Sequence, residues 1–499
     1  MIGRKKEIAE LNKLCEDEVS RLVVIHGRRR IGKTYLVDYM FRENRDDCLF
    51  FEFTGSDHQD PHDQRANFLE AIYDWFRAEP SKEIKTWTEA FIFLKRTINQ
   101  EIEKRQHQGK VVLFFDEVAW IDKYNKAKFL SAFGHFYNTY CQKNSNFLVI
   151  LCGSNASWIK NKILKNSKGP LYKRVDREIA MYPFTLKETR EYLIKEKRFD
   201  LDNKSLVELY MVLGGVAKYL DLLDASLSVA QNIDRLFFQL HAVLYDEYDE
   251  IFKSLFYNKA MYHKKVVTLL AQKQSGYTVS ELTQLLVDSS DSVSDMTLRD
   301  TLGELIDTGF IKPINKLYNK TKDSKFVIAD PFSLFYNRWV MPLSKNDLAT
   351  LDNYYSSSMG TPKYTTWSGY AFEAVAMINI ELYLQIRGLR GVFKSVRYWR
   401  YLPVEGSDEK GTQIDLLVEY ENNLYDIVEC KFYNQEFVIS QEETERILNR
   451  VEMFKKYGIK AKSKYDIKLV FLTSYGVKVN RYYNRLNIAK SITIDDLLE

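Results

Sequence analysis

Three short runs in the first third of the chain, Leu22–Ile25, Val111–Phe115 and Phe147–Cys152, are apolar at every position. A strand that is apolar throughout is buried on both faces, as in a parallel sheet covered by helices. These runs predict a parallel sheet within residues 1–180. From about residue 255 the period changes to that of short helices. HKKVVTLLAQKQ repeats apolar residues at helical spacing, YTVSELTQLL begins with Thr278 or Ser280 as an N-cap, and DMTLRDTLGELIDTGFI runs to Gly309. KPINKLYNKTKDSKFVIADPF then alternates and turns like a two-stranded wing, so residues 251–340 are expected to form a winged helix. Residues 341–365 are polar, with a serine run, Gly360 and Pro362, and read as a linker. Residues 366–499 hold a helix (TWSGYAFEAVAMINIELYL), a hairpin (GTQIDLLVEYENNLYDIVECKFY) and a later strand (KLVFLTSYG). The fold class predicted is α/β.

Composition narrows this picture without changing it. Hydrophobic residues are 45% of the 499, with 33 Tyr and 30 Phe, enough apolar mass for several packed cores. A net charge of +4 permits nucleic-acid contact without requiring it, so any such contact must rest on local basic clusters. Five cysteines without CxxC spacing suit reduced thiols in a cytoplasmic protein. The charged start MIGRKKEIAEL does not read as a signal peptide, and no apolar run approaches the ~20 residues of a membrane span.

The first apolar run enters GRRRIGKT, residues 27–34, which fits the phosphate-loop pattern G-x-x-x-x-G-K-[ST]. Gly27 and Gly32 let the backbone bend, so that N–H groups of Arg28, Arg29, Arg30 and Ile31 face phosphate oxygens. Lys33 would neutralise the terminal phosphates of ATP and Thr34 would ligate Mg²⁺. The second run ends in Asp116-Glu117, where Asp116 would hold Mg²⁺ through water and Glu117 would polarise the attacking water. The third ends in Gly-Ser-Asn, so Ser154 or Asn155 either senses the γ-phosphate or simply makes a turn. LYKRVDREI offers Arg174 and Arg177, one as an arginine finger, with surface ion pairing as the alternative.

IGRKKEIAEL, GRRRIGKT, VVLFFDE, LCGSN and LYKRVDREIAMYPFT together resemble the archaeal-type ATPases, P-loop NTPases on the AAA+/STAND side of the superfamily. The resemblance covers about the first 240 residues and implies a helical lid, here 181–250, with a Gly-Gly-x-Pro motif. Residues 214–217 read GGVA, with Ala217 in place of the proline, which bears on how the lid grips nucleotide. The family also carries a winged helix followed by a stretch like ADPFSLFYNRW. Lys312, Lys316, Lys320, Lys322 and Lys325 cluster on the wing and either contact phosphates or solvate a hairpin.

The C-terminal hairpin raises a charge problem. With Glu421–Asn423 as its loop, Tyr420 pairs with Leu424 and Asp415 lies across from Glu429. Two opposed carboxylates repel unless a positive charge sits between them. A divalent metal would resolve this, bound by Asp415 and Glu429 and the Cys430 carbonyl, with Lys431 acting on the attacking water and Glu373 as a further group. This arrangement resembles the PD-(D/E)XK nucleases over about residues 366–475, although Gln413-Ile414 rather than a proline precedes Asp415. The resemblance implies a restriction-endonuclease-like domain at 366–499. The sequence thus predicts an ATPase coupled to a metal-dependent nuclease-like domain acting on DNA, with ATP and Mg²⁺ as cofactors. The alternatives are a signalling or scaffold NTPase, or a winged-helix transcription regulator, whose last domain binds without cutting. No membrane partner is expected. A homo-oligomer fits an arginine acting in trans, and monomers or dimers fit equally.

Overall fold

The structure is a computed structural model, and it describes all residues except 46, 58–59, 124–127, 289–294, 319–322, 405, 407 and 461–463. The chain divides into two compact units, Met1–Pro183 and Phe184–Glu499.

The first unit is built on five parallel strands: β1 (Arg21–His26), β2 (Leu49–Thr54), β3 (Val111–Asp116), β4 (Phe147–Gly153) and β5 (Arg177–Ala180). Their order is β2-β3-β4-β1-β5, so β4 separates the strand of the phosphate loop from the strand of the acidic pair. Every residue of β3 and β4 is buried, as continuous apolar runs require. Alternate residues Leu22 and Val24, Leu113 and Phe115, and Val149 and Leu151 face one core, packed with Phe51, Phe68, Phe91 and Trp87. Each fully buried side chain of this size contributes about 1.5–3 kcal/mol. The covering helix Trp87–Arg105 starts on a capping box in which Thr86 and Glu89 satisfy each other's backbone N–H groups.

The second unit holds a seven-stranded mixed sheet of order β12-β11-β10-β9-β8-β6-β7. The strands are β6 (Ile311–Lys316), β7 (Lys325–Ile328), β8 (Phe393–Tyr401), β9 (Thr412–Tyr420), β10 (Leu424–Lys431), β11 (Asp466–Thr473) and β12 (Lys490–Thr493). Two expectations change here. The wing, β6 and β7, is not set apart from the C-terminal domain. Asn315 and Lys316 pair in parallel with Arg397 and Tyr398, which makes the wing the edge of one sheet. Nor is 341–365 a loose linker. It forms helices Lys345–Leu348 and Tyr354–Ser358, and Tyr355 is fully buried. The Tyr355 N–H donates to Asp234 at 2.7 Å and its hydroxyl to Glu208 at 2.9 Å, so the polar composition reflects buried hydrogen bonding rather than solvation.

The Gly-Gly motif ends a helix. Asn203–Leu213 stops at Gly214 (φ 64°), and Gly215 (φ 69°) accepts from the Phe184 N–H at 2.8 Å. A Cβ at Gly215 would lie 2.2 Å from the Phe184 carbonyl oxygen, so only glycine fits. Inside the hairpin, Asp426 is fully buried and bound by both arms of the Arg387 guanidinium (2.9 and 3.0 Å) and by the hydroxyls of Tyr383 and Tyr420 (2.7 and 2.8 Å). A buried carboxylate is tolerated when it is neutralised and fully hydrogen-bonded in this way.

Candidate functional site

The phosphate loop leaves β1 at Gly27 (φ 151°), where a Cβ would meet the Met181 carbonyl oxygen at 2.2 Å. It re-enters helix at Lys33 after Gly32 (φ 89°). Ile31 is fully buried beneath the loop, and Arg28 is buried. Arg29 lies over the Trp120 ring at 5.4 Å, and Arg30 is exposed with φ 68°. The Lys33 ammonium is buried and donates to the Arg28 carbonyl at 3.0 Å. The Thr34 hydroxyl donates to the Asp116 carboxylate at 2.5 Å. The two residues expected to share a Mg²⁺ ion, on different elements, are therefore adjacent, and hydroxyl plus carboxylate is the hard-oxygen set such an ion takes.

Glu117 sits in the left-handed region (φ 47°), and its own N–H donates to Asp116 at 2.8 Å. Its carboxylate accepts from the Ser154 N–H at 3.1 Å and the Ser154 hydroxyl at 2.9 Å. Burial pushes the Glu117 carboxyl up; Lys33 opposes this and Asp116 adds to it. Ser154 is thus directed at Glu117, while Asn155 caps the next turn by accepting from the Trp158 N–H at 2.8 Å. Arg174 is an exposed turn residue, and Arg177 pairs with Glu10 at 3.3 Å. One contributor lies outside the phosphate-loop and strand-end motifs. Arg4, buried, donates to the Ile31 carbonyl at 2.8 Å and the Tyr182 carbonyl at 2.7 Å, bracing the loop from below.

The second cluster lies on the C-terminal sheet. β9 and β10 pair as Glu419↔Tyr425, Val418↔Asp426 and Leu417↔Ile427, the register expected from a three-residue loop. The ladder ends there. Between β8 and β9 the pairing steps from Arg397↔Leu417 to Trp399↔Ile414, which places an extra residue in β9 at Asp415–Leu416. Such a bulge re-aims a side chain at a sheet's working face. Glu373, Asp415, Glu429, Lys431, Arg446 and Arg450 line one cavity of about 250 Å³.

The cation against Glu429 in this cavity is a side chain. Arg450 is in ion-pair contact with it, and both are largely buried. Arg446 and Lys431 stand further off, at 3.6 and 3.8 Å, each held by Glu443 at 2.6 Å. Gln274 donates to Glu373, and Gln413 donates to Asp415 at 3.2 Å. Burial raises the Glu373 carboxyl, with Asp415 adding to the shift; burial also raises Asp415, against the pull of Arg450. Among the described residues, Glu373, Asp415 and Glu429 do not bring one ligand atom each within 4.8 Å of one another; the trio that does is the exposed Asp60, His62 and Asp63, with two carboxylate oxygens and a ring nitrogen. The donor chemistry suits a hard cation, but Arg450 already supplies the charge.

Glu443, Arg446 and Arg450 share one face of the helix Gln441–Met453. Their E-x-x-R-x-x-x-R spacing was a readable signal, but nothing in the sequence sets that helix over the hairpin. The described wing lysines, Lys312, Lys316 and Lys325, do not form a surface cluster. Lys325 is buried against the Tyr398 ring at 4.7 Å, and burial lowers both it and Lys312. Lys316 is half-buried in the sheet, and Lys320 and Lys322 lie outside the described residues. No helix among the described residues is long and apolar enough to cross a membrane.

An uncharacterized protein of Methanocaldococcus jannaschii is 26% identical over 426 residues, 85% of each chain. Among solved structures, a Walker-type ATPase of Pyrococcus abyssi aligns at 17% identity and a TM-score of 0.48, over 68% of this chain and 96% of that one. The ORC2 protein of Aeropyrum pernix, in ADPNP and ADP complexes, aligns at 14% and 0.44, over 72% and 95%. The family model of an ATPase domain predominantly from Archaea matches residues 1–223, so the first part of the chain is similar to that ATPase domain.

Proposed function

We propose that the chain is an ATP-hydrolysing switch whose C-terminal sheet carries a metal-dependent nuclease-like site acting on DNA. The ATPase half rests on one observation above the rest, the Thr34–Asp116 hydrogen bond, which joins the phosphate loop to an acid two strands away. In this reading the loop N–H groups and Lys33 hold the phosphates, and Thr34 and Asp116 hold Mg²⁺. Glu117, oriented by Ser154, takes the proton of the attacking water. Arg174 stays a candidate for transition-state charge, as an exposed residue free to act on a neighbouring copy. The nuclease half rests on Glu373, Asp415, Glu429 and Lys431 sharing one cavity. A metal there would stabilise charge on a scissile phosphate.

A second reading has its own support. Arg450 on Glu429 favours a module that binds without cutting, as in a scaffold NTPase. A plasmid-cleavage assay with Mg²⁺ or Mn²⁺, run with ATP and with a non-hydrolysable analogue, separates the two. The switch predicts cutting that Asp415→Ala abolishes and Lys33→Ala deregulates. If Asp415→Ala matches wild type in a chain that never cuts, the ATPase alone is left.

A further inference from the structure

Three carboxylates, Glu373, Asp415 and Glu429, line the C-terminal cavity, and Glu429 is only 6% exposed. Buried carboxylates stay ionised only beside compensating positive charge. Of the three cations in the lining, Lys431 and Arg446 are drawn to Glu443 at 2.6 Å each, and Arg450 is the one in direct contact with Glu429. The Arg450 guanidinium is 12% exposed and reaches in from the helix Gln441–Met453. An arginine cannot give up its charge by deprotonation, so it leaves such a contact only by moving.

Resting on the reading of this cavity as a metal site, we propose that Arg450 is a built-in counter-ion which a divalent cation must displace from Glu429. Arg450 therefore sets the metal affinity of the cleft. The electrostatics favour exchange over coexistence. A dication at a carboxylate gains twice the attraction of a guanidinium at the same distance, and the two repel each other if both remain. Metal and Arg450 then compete for one pair of oxygens, and the competition is reciprocal: whatever strengthens the arginine contact weakens the metal. The arrangement keeps the acids neutralised when no metal is bound. It also lets anything that draws Arg450 away, such as a phosphate of bound nucleic acid, prepare the cleft for its ion.

The test is Mn²⁺ binding to the full-length chain without nucleotide, read from the free-Mn²⁺ electron paramagnetic resonance signal. Asp415→Asn identifies the sites that belong to the cleft. Arg450→Met is expected to tighten the Asp415-dependent site about tenfold, within the usual range of coupled-site effects. Arg446→Met is expected to move it less. Unchanged or weaker binding by Arg450→Met, at a site Asp415→Asn still removes, overturns the exchange and leaves the metal reading standing. No Asp415-dependent Mn²⁺ in either protein overturns both. If Arg450→Met proves insoluble, Arg450→Lys decides the same question. Its shorter, single-point contact predicts tighter binding than wild type, and equal or weaker binding refutes the proposal.

Discussion

The chain carries two acid clusters, and they are built in opposite ways. At the phosphate loop, Asp116 and Glu117 are met by neutral donors: the Thr34 hydroxyl, the Ser154 hydroxyl and N–H, and a backbone amide. Lys33, the nearest cation, is bonded to a carbonyl. Asp38, Glu52 and Glu117 all have carboxyls pushed up, first by burial and then in part by neighbouring acids. On the C-terminal sheet, Glu429 meets an arginine, and two further cations stand within 4 Å. On the reading proposed above, the first cluster receives a cation with its ligand, whereas the second has one of its own. Acid spacing along a chain does not distinguish these cases; the partners facing the acids do.

Breaking the first cluster should give the largest effect. Lys33→Ala removes the buried ammonium of the loop, and ATP turnover should fall about a thousandfold, as when a preorganised charge donor is lost. Steady-state phosphate release measures this. Turnover within tenfold of wild type would mean that the loop does not hold the phosphates.

Asp426 and Arg387 sharpen the comparison, because they are a buried acid–arginine pair outside the lining of the Glu429 cavity. Arg387→Met would strand a fully buried carboxylate and should cost about 3 kcal/mol or more, read as a lowered unfolding midpoint in urea. Arg450→Met should cost much less, because the Glu429 cavity is open enough for water or an ion to enter. Equal costs would make Arg450 a purely structural partner.

Ser154 tests the neutral-donor side. Ser154→Ala keeps the N–H contact to Glu117 and loses the hydroxyl, a hydrogen bond to a charged group worth about 1.5–3 kcal/mol. Turnover should drop roughly tenfold or more with ATP affinity held, and the pH profile should move with it. A rise in KM alone would assign Ser154 to the nucleotide instead.

These contrasts were unevenly legible in the sequence. The apolar runs of β1, β3 and β4 and the motif residues at their ends are local signals, and the sheet brings them together where the spacing implied. The hairpin register was equally local, since a three-residue loop fixes it for Leu417 to Glu419. What failed was long-range. The wing lysines looked solvated because alternation in an edge strand reads the same whether or not a further strand pairs with it. Lys325 is covered because β6 joins β8 some 80 residues on, as in Asn315↔Arg397, where the Tyr398 ring meets it. The partners of Arg4 and Arg450 were hidden for the same reason: one braces a loop 27 residues away, and the other answers Glu429 on a different element.

The smallest predicted effect concerns Glu52, on β2 beside the first cluster. Its carboxyl is pushed up to about 7, by burial first and then by Asp38 and Asp116, with Arg42 opposing. In the unfolded chain a glutamate titrates near about 4.3. Between those values the folded state binds a proton that the unfolded state has released, so the contribution is stabilising at low pH and is lost as pH rises toward 7. Glu52→Gln removes the titration. Discounted for partial solvent access, the variant should be more stable than wild type by about 1–2 kcal/mol at pH 8 and nearly equal to it at pH 5. Thermal unfolding at the two pH values measures the difference. Added Mg²⁺ and a non-hydrolysable ATP analogue should shrink it, because a cation beside Asp116 lowers the cost of ionising Glu52. A gap that is the same at both pH values would place its origin in packing, and a gap untouched by nucleotide would mean that these acids do not await a cation after all.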